Sequence, residues 1–412
     1  MKTDKEIRRN MYNTRKITDT LTWVGAIDRK VSKFENIYKL NSGMNYNSYF
    51  LDCGATVLID TVEKDFGDLF IENIDHCLSG RTLDYVIIHH MEPDHSATLA
   101  LVLDKYSEAK IIVNAKTLQF ISQFFPGRDY SARAVVVKDG DETDLGTHKF
   151  KFVFAPMVHW PEVMLSFDET DGILFSADAF GSYGAINGSI FADDKDFDSE
   201  LKAEARRYYT NIVGKYGMQT VAAINKVSGL EIKMICPLHS YVWRENIGSI
   251  IGCYKTWGSY TPEEKGVFIL SGSIYGHTAN AAEVLMTELD NRGIKSCILD
   301  ASAADISDII AMAFKFSHIV IASPTYNNGI YPPVEHAVRE LASHGLTGRS
   351  FSVIENGTWA PVSAKGITAV IEGLKNCRMT GRTVTLKSSG SDASVQALSE
   401  LAEAIREDMD NN

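Results

Sequence analysis

The sequence predicts two α/β-type domains: a layered, sheet-rich amino-terminal domain and a doubly wound parallel sheet at the carboxyl end. Three observations carry this. The chain has 412 residues, enough for two or three domains. From about Leu21 to Pro237 short β-branched apolar runs dominate, whereas from about Lys265 strands and helices alternate strictly. Hydrophobic residues make up 45% and charged residues 23%, the composition of a folded globular protein rather than a disordered or fibrous one.

The first half offers TVLIDTV (56–62), DYVIIHH (84–90), AKIIVNA (109–115), ARAVVVKD (132–139), KFKFVFAP (149–156) and GILFSAD (172–178) as strands. Its best helical stretches are Ser199 to Tyr216 and Gly217 to Val227. Many strands with few helices suggest two stacked sheets with helices outside. In the second half GVFILSGS (266–273), SCILDAS (296–302), HIVIASP (318–324), SFSVIENG (350–357) and RTVTLKS (382–388) read as strands. Helices are predicted at Thr278–Asn291, Asp305–Phe316, Pro333–Ser343, Ser363–Leu374 and Ser391 to about Glu407. Such alternation defines a parallel sheet covered on both faces. YKTWGSYTPEE (Tyr254–Glu264) reads as the linker.

A net charge of −12 argues against nucleic acid, whose binding needs clustered Lys and Arg. Six scattered cysteines without a C-x-x-C encode no zinc ribbon, rubredoxin-type iron site or thioredoxin motif, and suit a reducing compartment. The opening MKTDKEIRRN lacks the apolar core of a secretory signal, and no apolar run approaches a membrane span, so a cytoplasmic protein without membrane attachment is expected.

Two constellations carry chemistry. Strand 84–90 runs into His89-His90-Met91-Glu92-Pro93-Asp94-His95. Alternation sends residues 90, 92 and 94 to one side, and a turn after Asp94 is expected to bring His95 alongside. Imidazole and carboxylate together suit first-row transition metals. A single buried His is usually explained by packing, but His159, Asp178 and His239 also each follow a strand-like run, so all seven side chains can converge on one sheet edge. Four His, two Asp and one Glu suffice for two metals sharing a carboxylate. In the second half, Ser273-Ile274-Tyr275-Gly276-His277-Thr278 sits at a strand-to-helix turn suited to a phosphate. Ser323-Pro324-Thr325-Tyr326-Asn327-Asn328-Gly329 and Glu355-Asn356-Gly357-Thr358-Trp359-Ala360 follow two further strands, where doubly wound sheets bind ligands. Tyr326 and Trp359 can flank a planar ring, and Asn327 and Asn328 can bond its edge. No G-x-G-x-x-G is present, which disfavours NAD.

The pattern His90-x-Glu92-x-Asp94-His95, His159, Asp178, His239 resembles the metallo-β-lactamase superfamily. The zinc hydrolases of that superfamily carry His where this chain has Glu92. That replacement, with HWP around His159 and SADAFG around Asp178, resembles the flavodiiron proteins (A-type flavoproteins), as do the intervals of 18 residues between His159 and Asp178 and 60 between Asp178 and His239. The three loops of the second half look like a flavodoxin domain that binds FMN, although Tyr275 stands where Thr is usual and ENGTWAP replaces a glycine-rich loop.

The resemblance implies a metallo-β-lactamase-like αββα sandwich over residues 1–257 and a flavodoxin-like domain over 258–412. It makes His90, Glu92 and His159 ligands of one iron, Asp94, His95 and His239 ligands of another, and Asp178 the bridge. His89 should face away, into packing or the ligands' support. Phosphate is assigned to Ser273–Thr278 and isoalloxazine to the other two loops. Implied activity is reduction of O2 to water, of NO to N2O, or both, with Tyr208 and Tyr209 in RRYYTNI as candidate proton donors. A head-to-tail homodimer or a tetramer is implied, and electrons are expected from a separate protein, a rubredoxin or its reductase, since no rubredoxin module follows Asn412. The alternatives are a zinc hydrolase carrying an appended flavodoxin-like domain and a non-enzymatic electron carrier or gas sensor.

Overall fold

The computed structural model describes residues 11–411, so the opening segment read for a leader lies outside the described residues. The chain divides into two compact units: residues up to Tyr208 with Met218–Lys255, and Tyr209–Gly217 with Thr256 onward.

The first unit is the expected αββα sandwich. One sheet has seven strands in the order Arg15–Lys16, Leu21–Trp23, Tyr49–Asp52, Thr56–Ile59, Tyr85–Ile87, Lys110–Asn114 and Ala134–Val137. Its first strands pair antiparallel and its last four run parallel. The other sheet orders Glu142–Leu145, His148–Phe154, Met164–Asp168, Ile173–Phe175 and Met234–Cys236. Burial explains the strand His148–Phe154: Phe150 and Phe152 point into the core, while Lys149 and Lys151 reach outward to Glu142. The Asn114 side chain ends its strand and caps the helix Ala115–Phe124 by accepting from the N–H groups of Lys116 and Thr117.

Several predicted elements differ. Helices at Gly67–Leu78, Leu99–Lys105 and Ala115–Phe124 escaped the strand-rich reading. Ser199–Tyr216 is not one helix: an α-helical stretch, Lys202–Tyr208, lies between two wide π-type turns, Phe197–Leu201 and Tyr209–Val213. Helix Ile247–Gly258 consumes the first half of the expected linker, and Glu264 already opens a strand, so only residues 259–263 connect them.

The second unit is flavodoxin-like. Its parallel strands stand in the order Ser296–Asp300, Glu264–Ser271, Phe316–Tyr326, Ser350–Asn356, Val384–Leu386, which is 2-1-3-4-5 in chain sequence. One apolar cluster joins the sheet to helices Ile306–Lys315, Pro332–Ser343 and Ser363–Ile371; another joins it to His277–Asp290 and Asp392–Asp410. Both faces are therefore buried, which is why the strands read as unbroken apolar runs. Among the described residues no helix is long and apolar enough to cross a membrane.

Candidate functional site

The loop after strand Tyr85–Ile87 begins the first cluster. The chain stays extended through Glu92, and Pro93 then opens a short helix, Pro93–Ser96. The turn thus starts before Asp94 rather than after it. Asp94 and His95 lie in that helical turn, with the His95 N–H bonded to the Glu92 carbonyl. His159, Asp178 and His239 arrive from loops that follow His148–Phe154, Ile173–Phe175 and Met234–Cys236. Non-glycine residues in left-handed backbone conformations cluster beside them: Met157 (φ 66°), Ala177 (φ 49°), Phe180 (φ 68°) and Ser240 (φ 65°). Strain of this kind gathers where side-chain direction matters more than local stability.

All seven side chains come together, in two sets. The donor atoms of His90, Glu92, His159 and Asp178 lie within 4.8 Å of one another, as do those of Asp94, His95 and His239. Asp178 Oδ2 is 3.4 Å from His90 Nε2 and 3.0 Å from His159 Nε2. Its other oxygen, Oδ1, is 3.3 Å from His95 Nε2 and 3.8 Å from His239 Nε2. Glu92 Oε2 closes the first set, 3.0 Å from His159 Nε2. Asp94 Oδ2 closes the second, 3.3 Å from both His95 and His239.

Electrostatics make this cluster unlike a satisfied core. Both carboxylate oxygens of Asp94 and of Asp178 are buried without a hydrogen-bond partner, and Asp178 is wholly buried. The Nε2 atoms of His95 and His239 face each other at 3.0 Å. Burial opposes charge on His159, yet the carboxylates of Asp178 and Glu92 beside it hold its pKa up to about 9. Burial likewise opposes ionisation of Glu92, but the hydrogen bonds from His159 and His90 keep it below the usual carboxylate range. Orphaned carboxylates facing imidazole nitrogens fit two cations well. Glu92 in place of a third imidazole hardens the first set and favours iron over zinc.

Several supporting residues had no role in the sequence reading. His90 Nδ1 donates to Glu162 Oε1 (2.8 Å), and His239 Nδ1 donates to the Asn45 carbonyl (2.8 Å), which turns each Nε2 toward the cluster. Glu162 follows His159 by three residues, but its partner is 72 positions away, so no local pattern announces it. His89 faces away as expected: its Nδ1 donates to Asp60 and its Nε2 accepts from Ser166. Tyr208 packs edge-on against His239, with ring centres 5.6 Å apart, and burial beside Asp178 pushes its phenol well up. Tyr209 falls in the second unit, its ring 5.3 Å from Trp257.

The second candidate site is a cavity of ≈ 530 Å3 at the carboxyl ends of the flavodoxin-like strands. From the first predicted loop Ser273, Ile274, Tyr275, His277 and Thr278 line it; from the second, Pro324, Thr325, Asn327 and Asn328; from the third, Asn356 through Ala360. Ser388 joins them unpredicted, held by Thr358 and Asn356. Five predicted residues serve elsewhere. Gly276, at φ 94°, makes the turn into helix His277–Asp290. Ser323 bonds the backbone of Tyr331, and Glu355 receives the N–H of Ala364 and the hydroxyl of Thr385. Tyr326 and Gly329 pair with each other in a hairpin. Tyr275 and Trp359 are 90% and 88% exposed beside the cavity, large aromatic surface that folding leaves free to cover a flat ring. Polar loops with a strand-to-helix turn fit an FMN, whose phosphate would take the Ser273–Thr278 turn.

An αββα unit with a two-metal donor set, followed by a flavodoxin-like unit, defines a flavin- and metal-dependent oxidoreductase. Comparison with known proteins agrees. Residues 44–240 match the model of the ODP family beta lactamases. The chain is 31% identical over 349 residues to the anaerobic nitric oxide reductase flavorubredoxin of Vibrio vulnificus, covering 83% of this chain and 70% of that one. It is 32% identical to an uncharacterized protein of Methanocaldococcus jannaschii, over 83% and 86% of the two chains. Among solved structures, rubredoxin oxygen:oxidoreductase of Desulfovibrio gigas superposes with a TM-score of 0.91 at 25% identity, over 97% of this chain and 99% of that one. The flavodiiron protein of Giardia intestinalis shares the fold, with a TM-score of 0.87 at 24% identity over 98% and 99%. The chain belongs to the flavodiiron protein family.

Proposed function

We propose that this flavodiiron protein reduces O2, NO or both at a di-iron centre, with electrons relayed through FMN. The observation that carries the reading is the division of Asp178: one carboxylate oxygen faces His90 and His159, the other faces His95 and His239. His90, Glu92 and His159 would hold one iron, Asp94, His95 and His239 the other, with Asp178 shared. The V. vulnificus relative is named for NO and the D. gigas structure for oxygen, so both gases enter the reading.

When loaded, the iron pair and reduced flavin supply electrons: four convert O2 to two waters, and two convert two NO to N2O and water. The chain's own part is to position and to protonate. Glu162 and the Asn45 carbonyl fix the tautomers of His90 and His239. The Tyr208 hydroxyl, buried without a hydrogen-bond partner beside the carboxylates, is placed to hold a proton for the reacting gas. Domain limits of 1–257 and 258–412, a head-to-tail homodimer, and a rubredoxin or rubredoxin reductase as donor complete the proposal.

The test is anaerobic purification with iron and FMN quantitation, followed by O2 and NO consumption driven by reduced rubredoxin. About two irons and one FMN per chain with turnover of either gas are expected. Two zinc ions, no iron and hydrolytic activity would replace this reading with the hydrolase.

A further inference from the structure

We propose that an apolar cavity behind the loops bearing His159 and Asp178 is a holding site for a small non-polar diatomic molecule on its way to the metals; this rests on the gas-reductase reading. The cavity lies wholly within the first unit. Its outer wall is one face of helix Gly217–Val227, where Thr220, Ala223, Ile224 and Val227 follow i, i+3, i+4, i+7 spacing. Its inner wall includes Val158, directly before His159, and Ala179 and Phe180, directly after Asp178.

Three properties point to a gas rather than to water or a larger ligand. No polar atom of the lining faces the void, so a water there would forgo its hydrogen bonds, and such cavities stay dry. The room is small, ≈ 10 Å3 for the centre of a water-sized molecule, which suits a single small guest. The inner wall includes the chain neighbours of His159 and Asp178, two donors of the first metal set, so a molecule held there lies against the loops that carry those donors. The opposing explanation, a packing defect, costs stability and predicts no effect on the reaction when it is filled.

Xenon is the probe, because it enters dry apolar cavities and needs no chemistry. Metal-loaded protein is crystallised under xenon pressure and its xenon sites are located for wild type, Ala223→Val, Ala223→Leu and Ile224→Ala. Wild type should place xenon between Ala223 and Phe180. Occupancy should fall with Val, vanish with Leu and rise with Ile224→Ala. The second-order rate constants for O2 and NO should fall several-fold in Ala223→Leu, with iron content and optical spectrum as in wild type. Absence of xenon from this cavity in wild type overturns the proposal. So does a filled cavity that leaves both rate constants unchanged. Should Ala223→Leu fail to fold, Ala223→Val and Ile224→Ala carry the same comparison in opposite directions. A wild-type protein that takes up xenon here but consumes neither gas refutes the reductase reading, whereas a consuming enzyme without xenon refutes only the holding site.

Discussion

The Nδ1 of His90 lies 2.8 Å from Oε1 of Glu162, both side chains wholly buried. The same oxygen accepts the N–H of Met91, so one carboxylate fixes the ring and the backbone on either side of the first metal set. This outward bond leaves Nε2 aimed at Glu92 and Asp178. Replacing Glu162 with Ala removes the ring's orienting partner and should weaken metal binding at this set by about 10–100-fold. Glu162→Gln, which keeps a carbonyl acceptor, should lose less. Competition with a chelator measures both, and unchanged affinity in Glu162→Ala would refute the positioning role.

Among the described residues, Asp178 alone faces both sets with different oxygens. Asp178→Asn removes the shared charge and puts an N–H where one oxygen faced two imidazoles. Iron per chain should drop well below the wild-type value and gas consumption should be lost. FMN per chain should stay at the wild-type level, since its cavity is built from the second unit alone. Quantifying metal and flavin on the same preparation separates a local effect from misfolding, which would lower both.

The seven converging side chains were legible because their signal is local: each lies in a segment that follows a strand, and four sit within six residues of one another. The turn was misplaced by one step because the sequence reading weighed strand alternation over the preference of Pro93 for the first turn of a helix. Glu162 and Asn45 were illegible, since each meets its histidine across 72 and 194 positions. The parallel strands of the second unit were plain for a physical reason: burial on both faces leaves uninterrupted apolar runs. Helix Gly67–Leu78 was missed because its start carries no side-chain cap and its interior mixes Asp68, Glu72 and Asn73 with the apolar face. The stretch from Ser199 to Tyr216 kept helical spacing, but the two units divide at Tyr208 and Tyr209, inside it.

Gly276 turns the chain into helix His277–Asp290 at φ 94°, and a Cβ there would meet nothing within 4 Å. The objection to a side chain is therefore backbone strain alone. Gly276→Ala should cost about 1–2 kcal/mol in the turn, which weakens FMN binding by about tenfold. Flavin titration of apo-protein reads this directly. Iron content should not change, and unaltered flavin affinity would mean that the turn does not shape the phosphate site.

His318 is the third residue of strand Phe316–Tyr326, wholly buried, its Nε2 donating to Ser352 and its Nδ1 without a hydrogen-bond partner. Burial disfavours its charged form and lowers its pKa to about 4; Asp408 opposes this and Arg378 reinforces it. In the unfolded chain the same imidazole titrates near 6.5. Between these values the unfolded state binds the extra proton. The stability conferred by a neutral His318 is thus complete above about pH 6.5 and is lost progressively as the pH falls toward 4. The loss reaches about 2 kcal/mol at pH 5. His318→Leu removes the titrating group while Ser352 keeps its bond to the Thr380 carbonyl. Urea unfolding at pH 7 and pH 5 should show a smaller acid-induced loss in the variant, by about that amount. Equal losses in both proteins would mean that His318 stays neutral in neither state or is protonated alike in both.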